Sequence, residues 1–79
     1  MISDSRPFTQ SALSDPVRWT MHKDGGRMAQ CRILPHPSGF ELRVDIDGDT
    51  RLARVHRQEA DADIHATALE DRFLEKGWS

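Results

Sequence analysis

From Val17 the chain alternates: Val17, Trp19 and Met21 fall on one side and Arg18, Thr20 and His22 on the other, the two-residue period of a half-buried strand. Lys23, Asp24, Gly25 and Gly26 then supply positions that tolerate φ > 0, as a hairpin turn needs, and residues 28–34 resume the alternation with Ala29, Cys31 and Ile33 together. Pro35-His36-Pro37-Ser38-Gly39 reads as the second turn, because its two prolines lack backbone donors. Residues 40–46 give the clearest strand, with Phe40, Leu42, Val44 and Ile46 on one side and Glu41, Arg43 and Asp45 on the other. Asp47-Gly48 fits a two-residue type I′ loop, and residues 49–57 return as a fourth strand. With that loop Leu42 lies opposite Ala53, Phe40 opposite Val55 and Glu41 opposite Arg54. An extra loop residue would instead turn Leu52 inward and Ala53 outward, so both registers stay open.

From about Gln58 the period lengthens to that of a helix, with Ala62, Ala66, Leu69 and Phe73 forming one stripe at spacings of three and four. Glu59, Asp61 and Asp63 sit near the positive end of the helix dipole, Lys76 sits near the negative end, and Gly77 is a natural left-handed stop. Ile64 falls on the far side of this helix, either exposed or covered by a partner or the N-terminal segment. These patterns predict an α+β fold: an antiparallel β-meander of three to four strands with one C-terminal α-helix packed on one face. Residues 1–16 are rich in Ser, Thr, Asp and Pro and show no period, so a flexible N-terminal arm is expected ahead of a single domain over 17–79.

Composition narrows the class. A chain of 79 residues holds one modest core, since a domain of this size buries only about 60% of the surface its unfolded chain exposes. Its 37% hydrophobic and 30% charged content is that of a folded globule, and no apolar stretch approaches the roughly 20 residues that span a bilayer. No membrane partner is expected. The first 16 residues lack the basic start and apolar run of a secretory signal, and the lone Cys31 has no partner for an internal disulfide, which points to a reducing, cytoplasmic setting. A net charge of −2 gives no global attraction to nucleic acid, so any such binding would come from a local patch.

Candidate chemistry is sparse. Asp45, Asp47 and Asp49 with Gly48 match the opening of a Ca²⁺ loop, but the twelfth position is His56 rather than a bidentate Glu, and a solvated turn accounts for them. Cys31, His22, His36, His56 and His65 include soft ligands at no compact spacing, so no metal or cofactor is expected. There is no nucleophile elbow, phosphate-binding glycine loop or His-Glu-x-x-His, which argues against an enzyme. Trp19 and Trp78 are assigned to the core, Trp78 folding back against the sheet edge. The outward face of the expected sheet carries Arg18, Arg32, Arg43 and Arg54 with His22 and His56 nearby, opposed there only by Glu41 and Asp45. Such a face is either an ordinary solvated surface or a docking site for carboxylates or phosphates.

The strand from Phe40 through Asp47-Gly48, together with the helix end Leu74-Glu75-Lys76-Gly77-Trp78, resembles a loose class of short, uncharacterised bacterial proteins built as a hairpin with an Asp-Gly turn followed by a helix finishing in Gly-Trp. The resemblance implies the fold and no activity. The expectation is therefore a non-enzymatic protein-interaction module using Arg18, Arg32, Arg43, Arg54, His22, His56 or Ile64, or an open edge strand, with a homodimer as one possible partnership. Electrostatic nucleic-acid binding through the arginine-bearing face is the alternative.

Overall fold

The computed structural model describes residues 16–79, so the arm expected over 1–16 lies outside the described residues apart from Pro16. Four strands pair in chain order as an antiparallel meander: β1 (Val17–Lys23), β2 (Arg27–His36), β3 (Gly39–Ile46) and β4 (Asp49–His56). Helix α1 (Glu59–Glu75) packs on one face, giving the α+β arrangement that the periodicity predicts.

The loops follow local backbone chemistry. Asp47 and Gly48 adopt φ of 53° and 87°, the two positive values of a type I′ turn, and Ile46 lies opposite Asp49. Asp47 also ties the two hairpins together: its carboxylate accepts from Met28 N–H at 3.0 Å and from Arg27 Nε at 3.1 Å, while its own N–H donates to Met28 O at 2.8 Å. The backbone donor first, and then the guanidinium, hold this carboxyl below its ordinary value. The second turn is shorter than expected. β2 continues through Pro35, opposite Phe40, and His36, opposite Gly39, leaving only Pro37-Ser38 as the loop. Ile33 N–H donates to Pro16 O on the β1 side, so by alternation the missing donor of Pro35 also faces that side, and the β2–β3 ladder loses nothing.

Two β-bulges, each with an arginine as the extra residue, correct the expected facing. In β1, Val17 pairs with Arg32 and Trp19 with Cys31, so Arg18 is the unpaired residue and Val17 turns to the outer face. In β4, Thr50 pairs with Asp45 and Leu52 with Val44, leaving Arg51 as the extra residue. The loop has the expected length, but the bulge shifts the register by one: Leu42 lies opposite Arg54, Phe40 opposite His56 and Glu41 opposite Val55. Leu52 therefore joins the core, while Ala53 and Val55, expected inside, are exposed on the outer face.

The core lies between the sheet and α1. Trp19, Met21, Ala29, Cys31, Ile33, Leu42 and Val44 from the sheet meet Ala62 and Ala66 from the helix, flanked by Phe40, Ile46, Leu52, Leu69 and Phe73. The two alanines let the helix backbone approach closely enough for the Trp19 indole N–H to donate to Ala66 O at 2.9 Å. Phe73 stacks obliquely between Trp19, at 5.1 Å, and Trp78, at 5.6 Å. Gly77, with φ of 93°, reverses the chain so that Trp78 is buried as expected, under Lys23 and Arg27. Ser79 then exchanges backbone hydrogen bonds with His22, at 2.7 and 2.9 Å, along the outer edge of β1.

Candidate functional site

The arginines expected to form one sheet face are divided by the bulges. Arg18 turns to the helix side, where its Nε meets Asp63 at 2.6 Å and its outer nitrogen meets Glu59 at 2.9 Å, stapling the start of α1 to β1. Arg54 also lies on the helix side of the sheet, opposite the buried Leu42 but itself exposed, and donates only a 3.5 Å contact to Ala53 O. Arg32 and Arg43 alone share the outer face, opposite one another. Each is neutralised there: Arg32 by Asp45 at 2.6 Å and Arg43 by Glu41 at 3.0 Å. Their Nε atoms are buried without hydrogen-bond partners, so each guanidinium is held through an outer nitrogen. His22 stays on the outer side of β1, and Ile64 is 69% exposed on α1.

His56 is likewise displaced from the outer face. Its Nε2 lies 3.0 Å from Nδ1 of His65, with ring centroids 5.2 Å apart and planes at 79°, so the rings meet end to end and one nitrogen donates to the other according to tautomer. Desolvation, followed by electrostatic repulsion from His56 and Arg54, lowers the pKa of His65. Among the described residues no cluster of three or more His, Cys, Asp or Glu is placed to hold a metal, and no pocket is found. The Cys31 thiol is fully buried, and desolvation pushes its pKa up to about 11. The carboxylates of the supposed Ca²⁺ loop diverge to separate partners, Asp45 to Arg32 and Thr50, and Asp47 to Arg27 and Met28.

What the structure brings together is the margin formed by β4. The sheet has two edges, β1 and β4, and Ser79 closes part of the first. Along β4 only Leu52 and His56 are half-buried, so the strand is open on its outer face and on its edge among the described residues. The pairing alternates from the β2–β3 ladder outward, which directs the backbone N–H and C=O of Leu52, Arg54 and His56 toward β3 and those of Ala53 and Val55 toward open space. Val55 is 45% exposed. Arg51, Arg54 and Arg57 follow one another along this margin, and none has a carboxylate within ion-pair distance among the described residues, whereas Arg18, Arg27, Arg32 and Arg43 all do.

Sequence reasoning named Arg54 but missed Arg51 and Arg57. The signal was present: residues 50–58 contain three arginines and a histidine and no carboxylate. Fold and margin together define a meander-plus-helix protein with, among the described residues, one partly closed and one open sheet edge. No family model, curated protein or solved structure matches the chain, and no helix among the described residues is long and apolar enough to cross a membrane.

Proposed function

We propose that this chain is a non-enzymatic, cytoplasmic protein-interaction module that docks a segment of another protein as an added strand beside β4. The observation that supports this reading is the inequality of the two edges. β1 has His22 bonded to Ser79, whereas Ala53 and Val55 of β4 leave their backbone groups unpaired among the described residues. Unpaired strand groups beside an exposed apolar side chain are the features that β-strand addition uses: the main chain supplies affinity and the flanking side chains supply selection.

The test replaces Val55 with proline. Its N–H faces outward, so Val55→Pro removes a docking donor without removing a β3–β4 hydrogen bond. Wild-type and Val55→Pro proteins, matched for folding by thermal unfolding, would be used to capture partners from lysate with and without nuclease treatment. The expected result is a protein retained by the wild type and released by the variant. Equal retention by both would refute the edge reading, and capture that disappears on nuclease treatment would favour nucleic acid instead.

A further inference from the structure

Resting on the reading that β4 is the docking edge, we infer that the docked segment is acidic: an extended stretch of a different protein with carboxylates at alternate positions and small or apolar residues between them. The alternation follows from the strand itself. Beside the outward backbone groups of Ala53 and Val55, the side chain of Arg54 lies on the helix side of the sheet, while those of Ala53 and Val55 lie on the other side. An added strand lies about 4.8 Å away and presents its side chains alternately to these two faces. Opposed side chains then fall within about 5.5 Å between Cβ atoms, a separation an arginine spans easily. Carboxylates on the helix side meet Arg54, with Arg51 in the bulge before it and Arg57 just past the end of the strand; apolar residues on the other side cover Val55.

The charge accounting selects this occupant over the others. Of the eight arginines in the described residues, four are matched by carboxylates; Arg72 stands alone on α1, and the other three cluster on the β4 margin. A second copy pairing β4 with β4 would set the Arg51, Arg54 and Arg57 rows against each other, and facing like charges oppose that association. A phosphate backbone could use the guanidiniums but would leave the outward N–H and C=O groups of Ala53 and Val55 unused. The one ring of β4, His56, is half-buried and engaged by His65, which leaves no exposed ring along the strand on which a base could stack.

The experiment titrates the full-length, ¹⁵N-labelled protein at low salt with a terminally blocked peptide, Thr-Glu-Val-Glu-Val-Glu-Thr. Its counterparts carry Gln or Lys in place of Glu, and a ten-nucleotide oligothymidylate forms the fourth arm. The expected result is movement of the Ala53 and Val55 amide signals by the Glu peptide. Its affinity should be at least about tenfold above that of the Gln peptide, falling with added salt and in an Arg54→Glu variant. Arg54→Glu changes an exposed side chain, and an unchanged spectrum outside β4 verifies its fold. If the Gln or Lys peptide moves the same amides equally, the acidic inference fails while the docking edge stands. If no peptide moves them, both fail. Oligonucleotide binding at β4 without peptide binding, or light scattering that shows the edge already occupied by a second copy, also overturns the proposal.

Discussion

Gly39 and Gly48 both have positive φ, 141° and 87°, yet replacing them with alanine should have very different consequences. A Cβ at Gly48 would have nothing within 4 Å, so Gly48→Ala costs only the left-handed backbone penalty, about 1–2 kcal/mol. A Cβ at Gly39 would press into the His56 carbonyl oxygen and stand 2.9 Å from Arg57 Cα and 3.1 Å from Arg57 O. These are backbone atoms, which cannot rotate aside as a side-chain tip could. The whole passage from β4 into α1 would have to move away from the start of β3. Adding about 1–3 kcal/mol for that displacement to the same backbone penalty puts Gly39→Ala at roughly 2–5 kcal/mol.

A 79-residue domain has a total stability on the order of 4–12 kcal/mol, so Gly39→Ala removes a large share of it. Urea unfolding of wild type and both variants, followed by far-ultraviolet circular dichroism, measures the difference if the slope m stays constant. At about 4–8 °C per kcal/mol, melting should fall by at least roughly 8 °C for Gly39→Ala and by at least about 4 °C less for Gly48→Ala. Costs equal within about 1 kcal/mol would mean that the β4–α1 junction does not press on Gly39, and the account of how His56 is positioned would fail.

Three further outcomes are expected. Leu52→Ala should cost about 1–2 kcal/mol because Leu52 is half-buried opposite Val44, whereas Val55→Ala should change stability by under about 0.5 kcal/mol; the reverse order in urea unfolding would restore the unbulged register. With its pKa near 11, the Cys31 thiol is ionised to only about one part in a thousand at pH 8, so a disulfide reagent should label it far more slowly in buffer than in urea; equal rates would contradict its burial. His65 has a folded pKa below its ordinary 6.5, so the unfolded chain binds the extra proton: its contribution to stability is present above pH 6.5 and is lost as pH falls through the lowered value. Urea midpoints should therefore decline on acidification from pH 7, less steeply in His65→Gln, and identical slopes would remove the His56–His65 contact from the explanation.

Much of the fold was legible because its signals are local. Alternation in residues 40–46, the Asp47-Gly48 turn, the small-residue stripe Ala62 and Ala66, and the Gly77 stop each specify their own geometry through steric rules that act over a few residues. The bulges were not legible. Inserting one arginine into an edge strand leaves no mark in composition, since Arg18 or Arg51 is equally soluble on either side of the sheet. Leu52 was the available clue, being larger than Ala53 and a better use of core space, but Val55 two residues further on argued for the opposite face. Pro35 misled for a related reason: it breaks a ladder only where a donor is needed, and which side of β2 its nitrogen faces is settled by where β1 begins. The pairing of Arg18 with Glu59 and Asp63 and the meeting of His56 with His65 depend on how α1 lies across the sheet, which no local pattern states.

The two bulged arginines show how one device yields opposite results at the two edges. Arg18 is turned toward the start of α1 and neutralised by two carboxylates, so β1 is tied to the helix there, and Ser79 bonds its edge at His22. Arg51 is left at the margin of β4, where Arg54 and Arg57 reinforce its charge and only Leu52 and His56 are half-buried. An open edge is ordinarily a hazard, because any strand can pair with it, and charged side chains are a common defence. Three arginines defend this edge against copies of itself, whose β4 carries the same charge. In the proposed docking mode they do so without protecting it from a strand of opposite charge, so the feature that would oppose self-association would also set the chemistry of the partner.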